Sequence, residues 1–138
     1  MAHWIRSSAD SLLPPTAFQA GHDTDGSRIY VGRTMFEGDL APVKVIPNKH
    51  AAYVSHGGKE HSVMHFEVLV GKAYAWAPSS NGCVPGHAIS TGKTRMGEPL
   101  YNSLTVGKVH PSHGCLYVPF GGKEISIKSY EVLVKKLK

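Results

Sequence analysis

The apolar residues of this chain fall in short runs of β-branched and aromatic side chains separated by turn-forming residues, the pattern of strands rather than of long helices. Arg28 to Phe36 is one such run, Glu37-Gly38-Asp39 supplies turn chemistry, and Leu40 to Ile46 returns as an antiparallel partner. Ala51 to Ser55 and His65 to Val70 read as further strands flanking Gly57-Gly58. The segment Ser129 to Lys138 has helical propensity, but its likeness to Met64–Val70 assigns it to a strand.

That likeness belongs to an internal repeat, which has to be found before any local assignment is trusted. A shift of 64 superimposes Leu40–Val70 on Leu104–Val134 with 15 identities in 31 positions, including Lys44-Val45 on Lys108-Val109 and Gly57-Gly58-Lys59-Glu60 on Gly121-Gly122-Lys123-Glu124. Upstream the shift is 71, placing Pro14, Ala17, Gly21, Gly26 and Tyr30 on Pro85, Ala88, Gly92, Gly97 and Tyr101. The second copy therefore lacks seven residues of the first copy's hairpin, and Asn102-Ser103 is the expected tight turn of the shortened one. The copies span residues 1–70 and 71–138. Neither can close a core alone at this length, so the two are expected to pack together or exchange strands into one all-β, pseudo-two-fold symmetric domain.

Composition narrows the function classes. With 41% apolar and 18% charged residues the chain suits a compact fold, and 15 Gly with 9 Pro suit many turns. Cys83 and Cys115 are too few for a disulfide scaffold or a four-Cys zinc site. The sequence contains no nucleophile elbow, phosphate-cradling loop or repeated acid pair, so a non-enzymatic role is expected. The N-terminus has no basic stretch followed by an apolar run, which gives a cytoplasmic expectation, with vesicular or unconventional release as the alternative.

The framework Trp4-x9-Pro14-x2-Ala17-x3-Gly21, then Gly26-x3-Tyr30-Val31-Gly32-Arg33, the Pro42-Val43-Lys44-Val45 return, and Gly57-Gly58-Lys59-Glu60 ending in Phe66-Glu67-Val68-Leu69 resembles the DM-nine repeat family. Two tandem copies with almost nothing else resemble its stand-alone mannose-binding lectins; natterin-like toxins carry related repeats fused to a pore-forming region for which this sequence shows no counterpart. The resemblance implies an all-β, calcium-independent, commonly dimeric lectin that binds mannose or mannose-rich glycans, with roles in agglutination and pattern recognition in innate immunity and no cofactor or metal. It places the sugar on Asp23 and Lys44, with Asp39 in the intervening hairpin turn. A carboxylate accepts from adjacent sugar hydroxyls and an ammonium donates, and such charge-assisted bonds are the stronger kind. In the second copy Asp23 becomes Thr94 and Asp39 aligns with Ser103, leaving Lys108 as the charged member of a degenerate second site.

The recurrent Gly-Gly-Lys-Glu is read as structural, Trp4 and Trp76 as core or subunit-interface anchors, and His56, His61 and His65 as solvent-facing. Residues 1–70 carry 6 Lys and Arg against 7 Asp and Glu, whereas residues 71–138 carry 9 against 3. This asymmetry supports an alternative role, an adaptor binding anionic polymers or membrane head groups through Lys93, Arg95, Lys108 and the Lys135-Lys136-Lys138 tail. No motif for reading specific nucleic acid is present.

Overall fold

The computed structural model describes residues 2–136. The first repeat forms β1 (His3–Ser8), β2 (Gln19–His22), β3 (Arg28–Phe36), β4 (Asp39–Ile46), β5 (Ala51–His56), β6 (Lys59–Ser62) and β7 (His65–Val70). The second forms β8 (Tyr74–Ser80), β9 (Ser90–Lys93), β10 (Pro99–Asn102), β11 (Lys108–His110), β12 (Cys115–Phe120), β13 (Lys123–Ile127) and β14 (Ser129–Lys135). Between β4 and β5, and again between β11 and β12, a 3-10 turn starts at a proline (Pro47–Lys49 and Pro111–His113) and ends in a left-handed residue, His50 or Gly114. No helix among the described residues is long and apolar enough to cross a membrane.

Most strands join one antiparallel sheet in the order β1-β7-β3-β4-β5-β6-β13-β12-β11-β10-β9, and β9 returns to β4 through Leu40 and Lys93. The β8–β14 pair stands apart as a two-stranded sheet. It repeats the β1–β7 register, with Trp76 opposite Leu133 as Trp4 is opposite Leu69. The chain is thus all-β with internal pseudo-two-fold symmetry.

The core records both repeats. One cluster of buried residues gathers Val43, Val54 and Val68 of the first copy and another Val109, Leu116 and Val132 of the second. Between them Val31, Ile46 and Leu69 pack with Val106 and Leu133, so a single apolar layer is shared. Burying each of these side chains contributes about 1.5–3 kcal/mol, which neither copy could collect in isolation. Phe18 of the first repeat also stacks on Trp76 of the second, with ring centroids 5.9 Å apart, and Arg33 lies 4.2 Å from the Trp4 ring.

The Gly-Gly-Lys-Glu segments explain the joint between copies. Gly57, Gly58, Gly121 and Gly122 all have positive φ, which a side-chain-bearing residue adopts only at a cost. Glu124 Oε1 accepts the Gly58 N–H at 2.9 Å and Glu60 Oε1 accepts the Gly122 N–H at 3.0 Å, so each turn is capped by the other repeat. Backbone bonds Glu60 N to Gly122 O (3.1 Å) and Glu124 N to Gly58 O (2.9 Å) complete the exchange. A second symmetric joint involves Gly21 and Gly92, which pass against the carbonyls of Leu104 and Leu40.

One expectation changes and one holds. The second hairpin does not turn at Asn102-Ser103: Asn102 is still paired with Lys108, and the turn is closed by Val106 N to Ser103 O at 2.9 Å. Val106 takes a φ of 51° there while its side chain is buried in the shared layer, so tertiary packing sets the turn. The C-terminal segment is a strand through Lys135, and residues 137–138, including Lys138 of the basic tail, lie outside the described residues.

Candidate functional site

The turn joining β2 to β3 is built by its own acidic residues. Asp23 N donates to Ser27 O at 2.8 Å, Gly26 N to Asp23 O at 2.9 Å, and Ser27 N to Asp25 Oδ1 at 3.0 Å. The Ser27 backbone bond, followed by bonds from the Ser27 hydroxyl and Lys49, holds the Asp25 carboxyl down to about 2. Asp23 Oδ1 accepts from Thr24 N at 2.9 Å and its Oδ2 accepts from Lys49 Nζ at 2.6 Å. The Lys49 bond is the chief cause that keeps the Asp23 carboxyl below its ordinary range, and Lys49 is correspondingly raised.

Lys44, on β4, sends its buried side chain across the joint. Its Nζ donates to Pro119 O on β12 at 2.5 Å, lies 4.0 Å from Glu60 Oε2, and sits 5.8 and 5.7 Å from the rings of Tyr53 and Phe120. Burial pushes this ammonium down, opposed by the Glu60 and Asp23 carboxylates. Asp23, Lys44, Lys49, Tyr53, Glu60 and Phe120 line one cleft of about 270 Å³. That volume lies just below the usual range for drug-sized ligands and suits a small polar one.

The donor and acceptor count is informative. An ammonium has three donors, and Pro119 takes one from Lys44; each Asp23 oxygen has two acceptor sites and is engaged once. The cleft thus presents unused charged donors and acceptors between aromatic faces, suited to holding neighbouring hydroxyls of a polyol.

The DM9 repeat model matches residues 23–127 and 102–138. The chain belongs to the DM9 repeat family. Among curated proteins, this DM9 chain is 35% identical over 135 residues to Natterin-3 of Thalassophryne nattereri, covering 94% of the chain and 35% of that protein. It is 32% identical over 138 residues to Natterin-1 of the same organism, covering 95% and 37%. It therefore spans little more than a third of these relatives. Among solved structures, the nematode sperm cell motility protein MFP2B aligns with a TM-score of 0.59 at 13% identity, covering 100% of this chain and 45% of that one, a likeness of fold.

Within the DM9 framework, Asp23 and Lys44 share the cleft, but Asp39 does not. Asp39 begins β4, five residues before Lys44, and its carboxylate faces the second repeat, accepting Arg95 N at 2.8 Å and lying 3.5 Å from His56 Nε2. Five residues of extended chain span roughly 17 Å, which removes Asp39 from the Lys44 cleft. His56 and His61 are likewise not simply solvent-facing: His56 Nδ1 lies 3.2 Å from Glu37 Oε2, His61 contacts His56 O at 3.0 Å, and both pack on Phe36.

Lys108 mirrors Lys44, donating to Ser55 O at 3.1 Å with Glu124 Oε2 at 3.3 Å and the Tyr117 ring at 5.5 Å. Lys108 is therefore buried and paired with Glu124 rather than part of an exposed basic face, whereas Arg95 stays exposed with its guanidinium bonded to the Glu37 carbonyl. Lys49, Glu60 and Phe120 were not legible as site residues. Phe120 in particular comes from the other repeat, and only the recurrent Gly-Gly turn beside it hinted at that proximity.

Proposed function

We propose that this DM9 chain is a non-enzymatic lectin that binds mannose or mannose-rich glycans at the Asp23–Lys44 cleft without calcium. The observation that supports this reading is the meeting of Asp23 and Lys44, each held in place yet with unused hydrogen-bonding capacity, between the Tyr53 and Phe120 rings. The DM9 family includes carbohydrate-binding lectins, which agrees with it. Asp23 accepts from two adjacent hydroxyls, Lys44 donates to a third oxygen, and the aromatic rings cover the apolar face of the sugar. A dimer would present such weak sites together and cross-link mannose-bearing surfaces. Retention on mannan-agarose in EDTA tests this: wild type is held and eluted by free mannose, while Asp23→Asn and Lys44→Met, checked for folding by circular dichroism, flow through. Wild-type protein that fails to bind mannan overturns the function; undiminished binding by both folded variants overturns the site.

A further inference from the structure

The second repeat lost the aspartate that equips the first cleft, yet the fold replaces it. Repeat symmetry carries Asp23, Thr24 and Lys44 onto Thr94, Arg95 and Lys108, and the turn itself is preserved, with Thr94 N bonded to Glu98 O at 2.9 Å as Asp23 N is to Ser27 O at 2.8 Å. In the first repeat's turn the N–H of Thr24 is held by the Asp23 carboxylate at 2.9 Å; in the second repeat's turn the N–H of Arg95 is held at 2.8 Å by the carboxylate of Asp39. Asp39 arrives from the first repeat's long hairpin, whose extra seven residues are those the second repeat lacks. The two carboxylates are similarly accessible, at 12% for Asp23 and 13% for Asp39.

The remaining parts follow the same symmetry. Lys108 stands where Lys44 does, Tyr117 where Tyr53 does, and His56 takes the place of Phe120. His113 replaces Lys49 and contacts the Tyr117 hydroxyl at 2.9 Å. We infer that this is a second sugar site, completed across the repeats by Asp39 in place of Asp23, with an imidazole rim instead of an apolar and ammonium one. The ligand class, a neutral pyranose with adjacent hydroxyls, rests on the sugar reading of the first cleft. Asp39 Oδ1 is engaged once and its Oδ2 faces His56 beyond ordinary bonding distance, so the carboxylate keeps acceptor capacity.

The test is an NMR titration of the whole chain with methyl α-D-mannopyranoside, following the rings of Tyr53 and Phe120 for the first cleft and of His56 and His113 for the second site. Both sets are expected to shift in wild type. Asp39→Asn, which keeps an oxygen for the Arg95 N–H, should weaken the histidine response about tenfold or more while the Tyr53 and Phe120 response is unchanged; Asp23→Asn should do the converse. Movement of the Tyr53 and Phe120 rings alone in wild type overturns the second site and leaves the first. Silence of both sets overturns the sugar reading of both clefts. A histidine response that survives Asp39→Asn overturns the role of Asp39.

Discussion

Gly92 and Gly21 occupy equivalent positions at the two inter-repeat crossings, but not equivalent space. A Cβ on Gly92 would fall 1.9 Å from Leu40 O and 2.9 Å from Leu40 C, whereas one on Gly21 would meet Leu104 O at 3.1 Å. Neither glycine has a positive φ, so Ala is conformationally acceptable at both and only the steric term differs. Gly21→Ala needs a shift of a few tenths of an ångström. Gly92→Ala needs about 1 Å between two backbones, enough to part the Leu40–Lys93 bridge and the adjoining Arg95–Asp39 bond. Overpacking of this kind costs about 1–3 kcal/mol and each lost hydrogen bond about 1 kcal/mol, so Gly92→Ala should cost roughly 3 kcal/mol and Gly21→Ala under about 1 kcal/mol. At about 3 °C per kcal/mol for a chain of this size, the melting temperature should fall by about 10 °C for Gly92→Ala and by no more than about 3 °C for Gly21→Ala. Circular dichroism melts at one pH and scan rate decide it. Equal melting temperatures for the two variants would refute the claim that the β4–β9 crossing is the tighter joint.

Glu124→Ala strands a buried ammonium, so it should destabilise by about 3 kcal/mol in urea unfolding, and adding Lys108→Met should recover much of that; a double variant no more stable than Glu124→Ala would count against the buried pair. His110 is held below its ordinary pKa by burial and then by His113, whose ring is 3.6 Å away, with Lys108 acting in the same direction and Glu98 and Asp39 opposing. The folded state thus binds fewer protons than the unfolded one, and stability present above about pH 6.5 is lost as pH falls toward the folded value. Melting temperature should drop between pH 7.5 and 5, and His110→Ile, which installs the first repeat's residue, should flatten that slope; an unchanged slope would reject His110 as its source.

The sequence spoke well within a repeat and poorly between repeats. The long hairpin, the strands around Gly57-Gly58 and the C-terminal strand follow from local residue types and from internal likeness. Strands β1 and β8 were not expected, because Trp4-Ile5-Arg6 and Trp76-Ala77-Pro78 owe their extended form to pairing with β7 and β14 rather than to their own pattern. The candidate site divides in the same way. Asp23 and Lys44 belong to one repeat and one cleft, while Phe120 enters that cleft from the other repeat and Asp39 reaches across to the Arg95 turn, and a linear alignment assigns every residue to its own copy. The Asn102-Ser103 turn was misplaced because Val106 bears a positive φ that the shared apolar layer imposes.

The crossed carboxylates of Glu60 and Glu124 bear on how such a protein diversifies. Because each Gly-Gly turn is clasped by the opposite copy, the strand preceding it is delivered to the neighbour's lysine, with Phe120 5.7 Å from Lys44 Nζ and Ser55 O accepting from Lys108 Nζ. A mutation in either half therefore reaches the face headed by the other's lysine, and grafting one repeat from a homologue would exchange the residues beside a lysine while leaving that lysine native. The lysine and the wall beside it are thus supplied by different halves, so a change in one copy is felt at the surface of both.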